Sequence, residues 1–185
     1  MTTAAVVLAA GDGTRYLGDH PKLLAPFRGA PLVTWAVNAA VAARLDEVIV
    51  VAGAVDLAPL SLQGRIVTND RWADGQATSL HVGLVAAEQS GHDAVVIGLG
   101  DQPLVGADAW RAVAASSATP IAVATFDGER RPPVRLAAAV WPLVPRFGDE
   151  GARVLLRERP DLLSEIPCTG EPVDIDTLED LARWS

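Results

Sequence analysis

Four stretches of this chain place polar and charged side chains at spacings that suit chemistry. In Leu8-Ala9-Ala10-Gly11-Asp12-Gly13-Thr14-Arg15, two glycines and a threonine let the backbone turn sharply and aim N–H groups at a phosphate. Arg15 and, further on, Lys22 bring cations to this region, while Asp12 and Asp19 dilute the charge. The same residues also suit a tight strand-to-helix turn with solvated charges. In Gly98-Leu99-Gly100-Asp101-Gln102-Pro103, a carboxylate at a strand tip suits a hard cation. Asp101 could instead cap a helix beginning near Gly106, a task that Asp108 also fits. In Val173-Asp174-Ile175-Asp176-Thr177, strand alternation puts Asp174 and Asp176 on one face, where they repel unless a cation or donors lie between them. Capping of the last helix by Asp176 is the open alternative. In the segment from Asn69 to Gly83, Gly75 leaves room for close approach, and Thr78 and Ser79 offer hydroxyls at a helix N-terminus. There the plainer reading is a turn at Asn69-Asp70 and a surface Ser79.

These residues need a frame that brings loops to one edge. Short apolar runs without alternation recur at Ala4–Ala10, Val48–Ala52, Ala94–Leu99 and Ile121–Thr125, with a weaker one at Arg65–Val67. Such runs suit strands covered on both faces. Helical spacing fills Pro31–Ala43, Gln76–Gln89 and Gly106–Ser116. The alternation predicts an α/β fold, an open and mostly parallel (Rossmann-like) sheet with helices on both faces. Beyond Phe126 the expectations are a polar turn over 127–133, a short strand at Val134–Ala138, and helices at Val140–Phe147 and Glu150–Arg157. An edge strand at Leu162–Ile166, a very short strand at Val173–Ile175, and a helix capped by Thr177 and running through Trp184 complete the reading. No repeat or linker interrupts residues 1–185, so a single domain is expected.

Ligands of such sheets bind beyond the carboxyl ends of the strands, where the glycine loop lies. The dinucleotide fingerprint fails because Tyr16 stands where its last glycine belongs, and a Walker loop fails because Asp19-His20 follows Gly18. What remains, Leu8-Ala-Ala-Gly11-x-Gly-x-Arg15 with Gly18 and Pro21-Lys22-Leu-Leu, resembles the signature loop of nucleotidyltransferases with a glycosyltransferase-A-like fold. Among them it is most similar to the molybdenum cofactor cytidylyltransferases and their relatives. The likeness runs in ordered motifs from residue 5 to about 182. The family spaces its glycine and lysine more tightly than Arg15, Gly18 and Lys22 are spaced here, which leaves the register of Lys22 open.

The resemblance implies that Leu8, Ala9, Ala10, Gly11, Gly13, Thr14, Arg15 and Lys22 wrap a nucleoside triphosphate, with Asn69, Gly75 and Ser79 near its base. It makes Arg15, Lys22 and Asp101 catalytic, and makes Asp101, Asp174 and Asp176 the ligands of Mg²⁺. It also implies a molybdopterin-type acceptor beside Pro133, Gly151 and Arg153, although Pro132 replaces the family's usual histidine. Ala9-Ala10-Gly11 is similar to members that use CTP. CMP transfer from CTP to molybdopterin or the molybdenum cofactor is therefore the expected reaction. Alternatives are GMP or CMP transfer to another phosphorylated acceptor, or a nucleotide-binding cofactor carrier without turnover. A transient contact with a molybdoenzyme or its chaperone is a further implied partner.

Composition bounds these expectations. With 23 acidic and 15 basic residues the net charge is −8, which repels nucleic acid and anionic membrane surfaces. Lys22 is the only lysine. A single Cys168 excludes an internal disulfide and fits a reducing compartment, and the three histidines at 20, 81 and 92 are too scattered for a ligand motif. The first residues read as a strand and not a signal peptide, so a cytoplasmic location is expected.

Overall fold

The computed structural model describes residues 1–185. Its centre is a seven-stranded open sheet. In chain order the strands are β1 (Thr3–Ala9), β4 (Glu47–Ala52), β5 (Arg65–Thr68), β6 (Ala94–Leu99), β7 (Ile121–Phe126), β8 (Glu129–Ala137) and β9 (Leu163–Pro167), arranged β5-β4-β1-β6-β8-β7-β9. Only β8 runs against the others. The carboxyl ends of β1, β4, β5, β6 and β7 therefore share one edge. A separate two-stranded hairpin, β2 (Pro26–Phe27) and β3 (Ala30–Pro31), turns through Arg28 and Gly29.

The apolar runs are strands because both faces of the sheet are covered. Ala5, Val7 and Ala9 of β1 face a core shared with α1 (Leu32–Ala42) and α3 (Ala107–Ala115), including Val33, Val37, Trp110 and Val113. Ala4, Val6 and Leu8 face the opposite core, built with Leu80, Leu84 and Ala87 of α2 (Gln76–Gln89) and Leu155 of α4 (Arg153–Glu158). Gly98 in β6 is forced by this packing, since a Cβ there would lie 2.3 Å from the Trp110 ring. A third, small core joins Phe27 and Leu32 to Ile175, with Leu181 and Trp184 of α5 (Leu178–Trp184) packed against it.

The carboxyl-terminal third departs most from expectation. The polar segment is not a long turn: only Asp127 and Gly128, both with positive φ, make the hairpin, and the arginines and prolines belong to β8. Prolines are tolerated in this interior strand because the register slips between Val123/Val134 and Ala124/Arg131, which leaves Pro132 and Pro133 in a bulge without ladder partners. No α-helix forms over Val140–Phe147. A 3₁₀ segment at Ala138–Leu143 stands there, because Pro142 and Pro145 remove the donors that an α-helix needs. No strand forms at Val173–Ile175, which pairs with no sheet edge. It is held instead by the Ile175 N–H donating to the Asp101 carbonyl at 3.0 Å.

Candidate active site

The glycine loop leaves the end of β1, and its Gly11, Asp12 and Gly13 N–H groups donate to no acceptor within the chain. The Tyr16 N–H closes a turn back onto the Gly13 carbonyl at 2.8 Å. Gly13 has φ +68°, and a Cβ on it would lie 2.6 Å from Cβ of Lys22. The glycine thus permits both the turn and the close passage of the lysine stem.

Lys22 is the hub of the site. Its side chain is 10% exposed, and Nζ donates to Oδ2 of Asp101 at 2.7 Å and to Oδ1 of Asp176 at 2.9 Å. Arg15 reaches the other oxygen of Asp176 at 2.9 Å but stays 74% exposed. Burial opposes the ammonium charge, yet the two carboxylates win and hold the Lys22 pKa above the usual lysine value. Asp174 takes a different partner: its Oδ1 accepts from Nε2 of Gln102, itself buried, at 2.9 Å. Burial, and then the nearby Asp101 and Asp176 charges, push the Asp174 carboxyl above its ordinary pKa, against the pull of the Gln102 bond.

Two alternatives left open by sequence are closed here. The cap of α5 is Thr177, whose hydroxyl accepts from the Asp180 N–H at 3.1 Å while Oδ2 of Asp180 accepts from the Thr177 N–H at 2.9 Å. Asp176 is thereby released to face Lys22. Asp101 caps nothing, because α3 begins at Ala107 with Gly106 as its N-cap and no side-chain cap.

The loop, Lys22 and Asp101 line a cleft of about 450 Å³ beyond the ends of β1 and β6. Of the residues expected around a nucleotide, Leu8, Ala9, Ala10, Gly11, Gly13, Lys22, Gly75 and Ser79 line it. Thr14 and Arg15 lie outside its walls, and Asn69 stands behind them, buried. Asn69 donates through Nδ2 to the Thr78 and Ser79 hydroxyls, each at 2.9 Å, and its N–H donates to the Ala52 carbonyl. It ties β4 to the start of α2 and fixes where Ser79 points. Ser79 is itself buried, not a surface residue. Asp174 and Asp176 open onto a neighbouring acidic recess shared with Asp127 and Glu129.

A second cavity of about 170 Å³ adjoins the first and shares Leu8, Gln76 and Leu99 with it. Its rim carries Arg130, Arg131, Pro132 and Arg153 over an apolar floor that includes Leu80, Ile97 and Leu156. Of the three expected acceptor residues, Arg153 lines this cavity, while Pro133 and Gly151 do not. Gly151 instead presses on Gln76, where an added Cβ would lie 3.1 Å from Oε1. Trp72, expected only as a core or interface anchor, and Gln76 and Asp149, for which no ligand contact was expected, all line the larger cleft. Asp149 lies two residues before Gly151, yet of the Asp149-Glu150 pair only Glu150 faces the smaller cavity. Gly75 carried the available signal: it has φ +105°, and a Cβ there would meet Gly148 at 2.6 Å and Oδ1 of Asp149 at 2.7 Å.

No three carboxylate, imidazole or thiol groups gather closely enough to cage a metal unaided. The Asp101 and Asp176 oxygens do converge on one point, now held by Nζ of Lys22. Magnesium is commonly held by one or two carboxylates, completed by phosphate oxygens and water. The donor set fits that arrangement.

Comparison with known proteins gives a consistent picture. The family described as "MobA-like NTP transferase domain" matches residues 5–163. Nicotine blue oxidoreductase of Paenarthrobacter nicotinovorans is 34% identical, over 96% of this chain and 94% of its own length. Purine catabolism protein PucB of Bacillus subtilis is 34% identical, over 95% and 92% respectively. Among solved structures, Rv0371c of Mycobacterium tuberculosis superposes with a TM-score of 0.86 at 27% identity, covering 99% of this chain and 96% of that one. Another structure of that protein, with a TM-score of 0.83 at 27% identity over 100% of this chain and 98% of that one, is a complex with manganese.

Proposed function

Because the chain belongs to the MobA-like NTP transferase domain family, we propose that it moves CMP from CTP to a molybdopterin-type acceptor and releases pyrophosphate. The observation that carries the reading is the meeting of Lys22, Asp101 and Asp176 beside a glycine loop with free N–H groups. This is a cationic and dipolar cradle for a triphosphate next to a carboxylate pair for its metal. The name of the manganese complex supports a divalent ion at this fold. The name PucB, a purine catabolism protein, is compatible with a supporting role in catabolism.

In this mechanism the loop N–H groups, Lys22 and Arg15 hold the triphosphate and stabilise the charge that builds on departing pyrophosphate. Asp101 and Asp176 would hold a magnesium ion, which would supply neutralisation of phosphate charge during transfer. The acceptor enters the smaller cavity, with Arg153 at its rim, and meets the nucleotide at Leu8, Gln76 and Leu99. An oxygen of its phosphomonoester attacks the α-phosphorus, and the bond to the bridging oxygen of the pyrophosphate breaks. The attacking group is already ionised, so the site needs no general base. Positioning and electrostatics carry the catalysis.

The relative named as an oxidoreductase motivates a second reading, a redox protein. Assaying pyrophosphate release with Mg²⁺, each nucleoside triphosphate and molybdopterin tests the first. Release with CTP and acceptor is expected. Silence with every triphosphate, alongside reductant-dependent conversion of nicotine blue, would establish the second reading in its place.

A further inference from the structure

The ammonium of Lys22 stands where the transfer mechanism needs a metal. It is in hydrogen-bonding contact with both carboxylates at 2.7 and 2.9 Å, and its side chain is 10% exposed. Its stem passes so close to the glycine loop that a Cβ on Gly13 would overlap it. A divalent ion that takes the Oδ2 oxygen of Asp101 and the Oδ1 oxygen of Asp176 must displace this ammonium, which would then be a buried charge beside a dication, stripped of both partners. Arg15 cannot substitute for it, since its own grip on Asp176 is solvent-exposed and weak. An anion within reach of the displaced ammonium removes the penalty, and the cleft that Lys22 lines is the one bordered by the loop N–H groups.

We propose that Lys22 is the resident cation of the Asp101–Asp176 pair, excluding divalent metal from the free protein and yielding the carboxylates only when a triphosphate takes up its ammonium. The exclusion stands on the ion-pair geometry alone, whereas the exchange rests on the nucleotide reading above. Metal and triphosphate are then linked, each raising the affinity for the other. The order this imposes is useful to a transferase, because metal enters with the substrate whose charge it must neutralise.

Two measurements test this. Manganese titrations followed by electron paramagnetic resonance, without nucleotide, should show weak binding to the wild type and binding at least about tenfold tighter to Lys22→Met. Equal affinities overturn the proposal. Should Lys22→Met fail to fold, the wild type carries the test through its only lysine: ¹³C-lysine labelling gives one εCH₂ resonance. Mg²⁺ alone should leave that resonance in place, and Mg²⁺ with CTP should move it. Movement with Mg²⁺ alone, or a stationary resonance while calorimetry shows CTP bound, overturns the proposal. If calorimetry shows no triphosphate binding, the nucleotide reading falls, and Mg²⁺ alone against the lysine resonance still decides the exclusion.

Discussion

Lys22 and Asp101 of the larger cavity are sunk into the fold and locked together, whereas the paired charges around the smaller one ride on the surface. Lys22 joins residues from the loop after β1, the tip of β6 and the segment before α5. Arg130 instead pairs with Glu165 and Arg131 with Glu129, all substantially exposed. Glu150 pairs with Arg157 in the same way. Buried, hydrogen-bonded charges are costly to disturb and hold one geometry, while exposed pairs are screened and exchange readily. The first cavity therefore holds its Lys22–Asp101 geometry firmly, and the charges around the second are freer to rearrange.

The largest effect should come from the locked side. Asp101→Asn removes one preorganised charge and should lower the rate of pyrophosphate release about 10²–10³-fold with the fold intact, as near-wild-type circular dichroism would show. An unchanged rate would remove Asp101 from the site. Gly13→Ala should cost less, about tenfold in kcat/KM, because its methyl must push Lys22 aside at a φ that disfavours alanine. A wild-type rate there would mean that the lysine stem yields freely.

On the open side, Arg153→Ala should raise the acceptor KM severalfold and leave the CTP KM unchanged. A fall in kcat of the Asp101→Asn size would erase the contrast between the two cavities. The smallest effect concerns Glu150, whose carboxyl is held below its ordinary pKa chiefly by the hydrogen bond from Arg157. A depressed carboxylate pKa stabilises the fold fully above the unfolded value near 4.5 and loses that contribution as pH falls through the folded value. Any difference in Tm between wild type and Glu150→Gln should therefore be seen at pH 7 and shrink progressively as the pH is lowered below 4.5. A difference that persists in acid would assign it to packing.

The frame was legible in the chain because it is written in continuous apolar runs. β1, β4, β6 and β7 were recognisable because short, Val- and Ile-rich apolar runs bounded by turn residues suit strands covered on both faces. Gln76–Gln89 forms the helix its spacing predicts, and Thr177 makes the capping box that its Asp180 neighbour signals. β8 was only partly visible, because Arg130-Arg131-Pro132-Pro133 reads as a loop until a bulge excuses the prolines from the ladder. The β2–β3 hairpin left no trace, as two-residue strands have no period to detect.

The candidate site divides along the same line. The local chemistry belongs to the sequence: a glycine loop after the first strand, an aspartate at a strand tip, a lone lysine between prolyl and apolar neighbours. Each is set by a few adjacent residues and the backbone they permit. Tertiary structure alone decided which of these groups meet. Lys22 and Asp176 are separated by 154 positions, yet share a hydrogen bond because the 173–176 segment is tethered to the tip of β6. It also separated Asp174 from that pair by giving it Gln102, and divided Asp149 and Glu150 between two cavities. Local propensity acts over a few residues, whereas an ion pair depends on where distant loops come to rest on the sheet. The chain therefore determined what the site is made of, and the packed sheet determined which charge faces which.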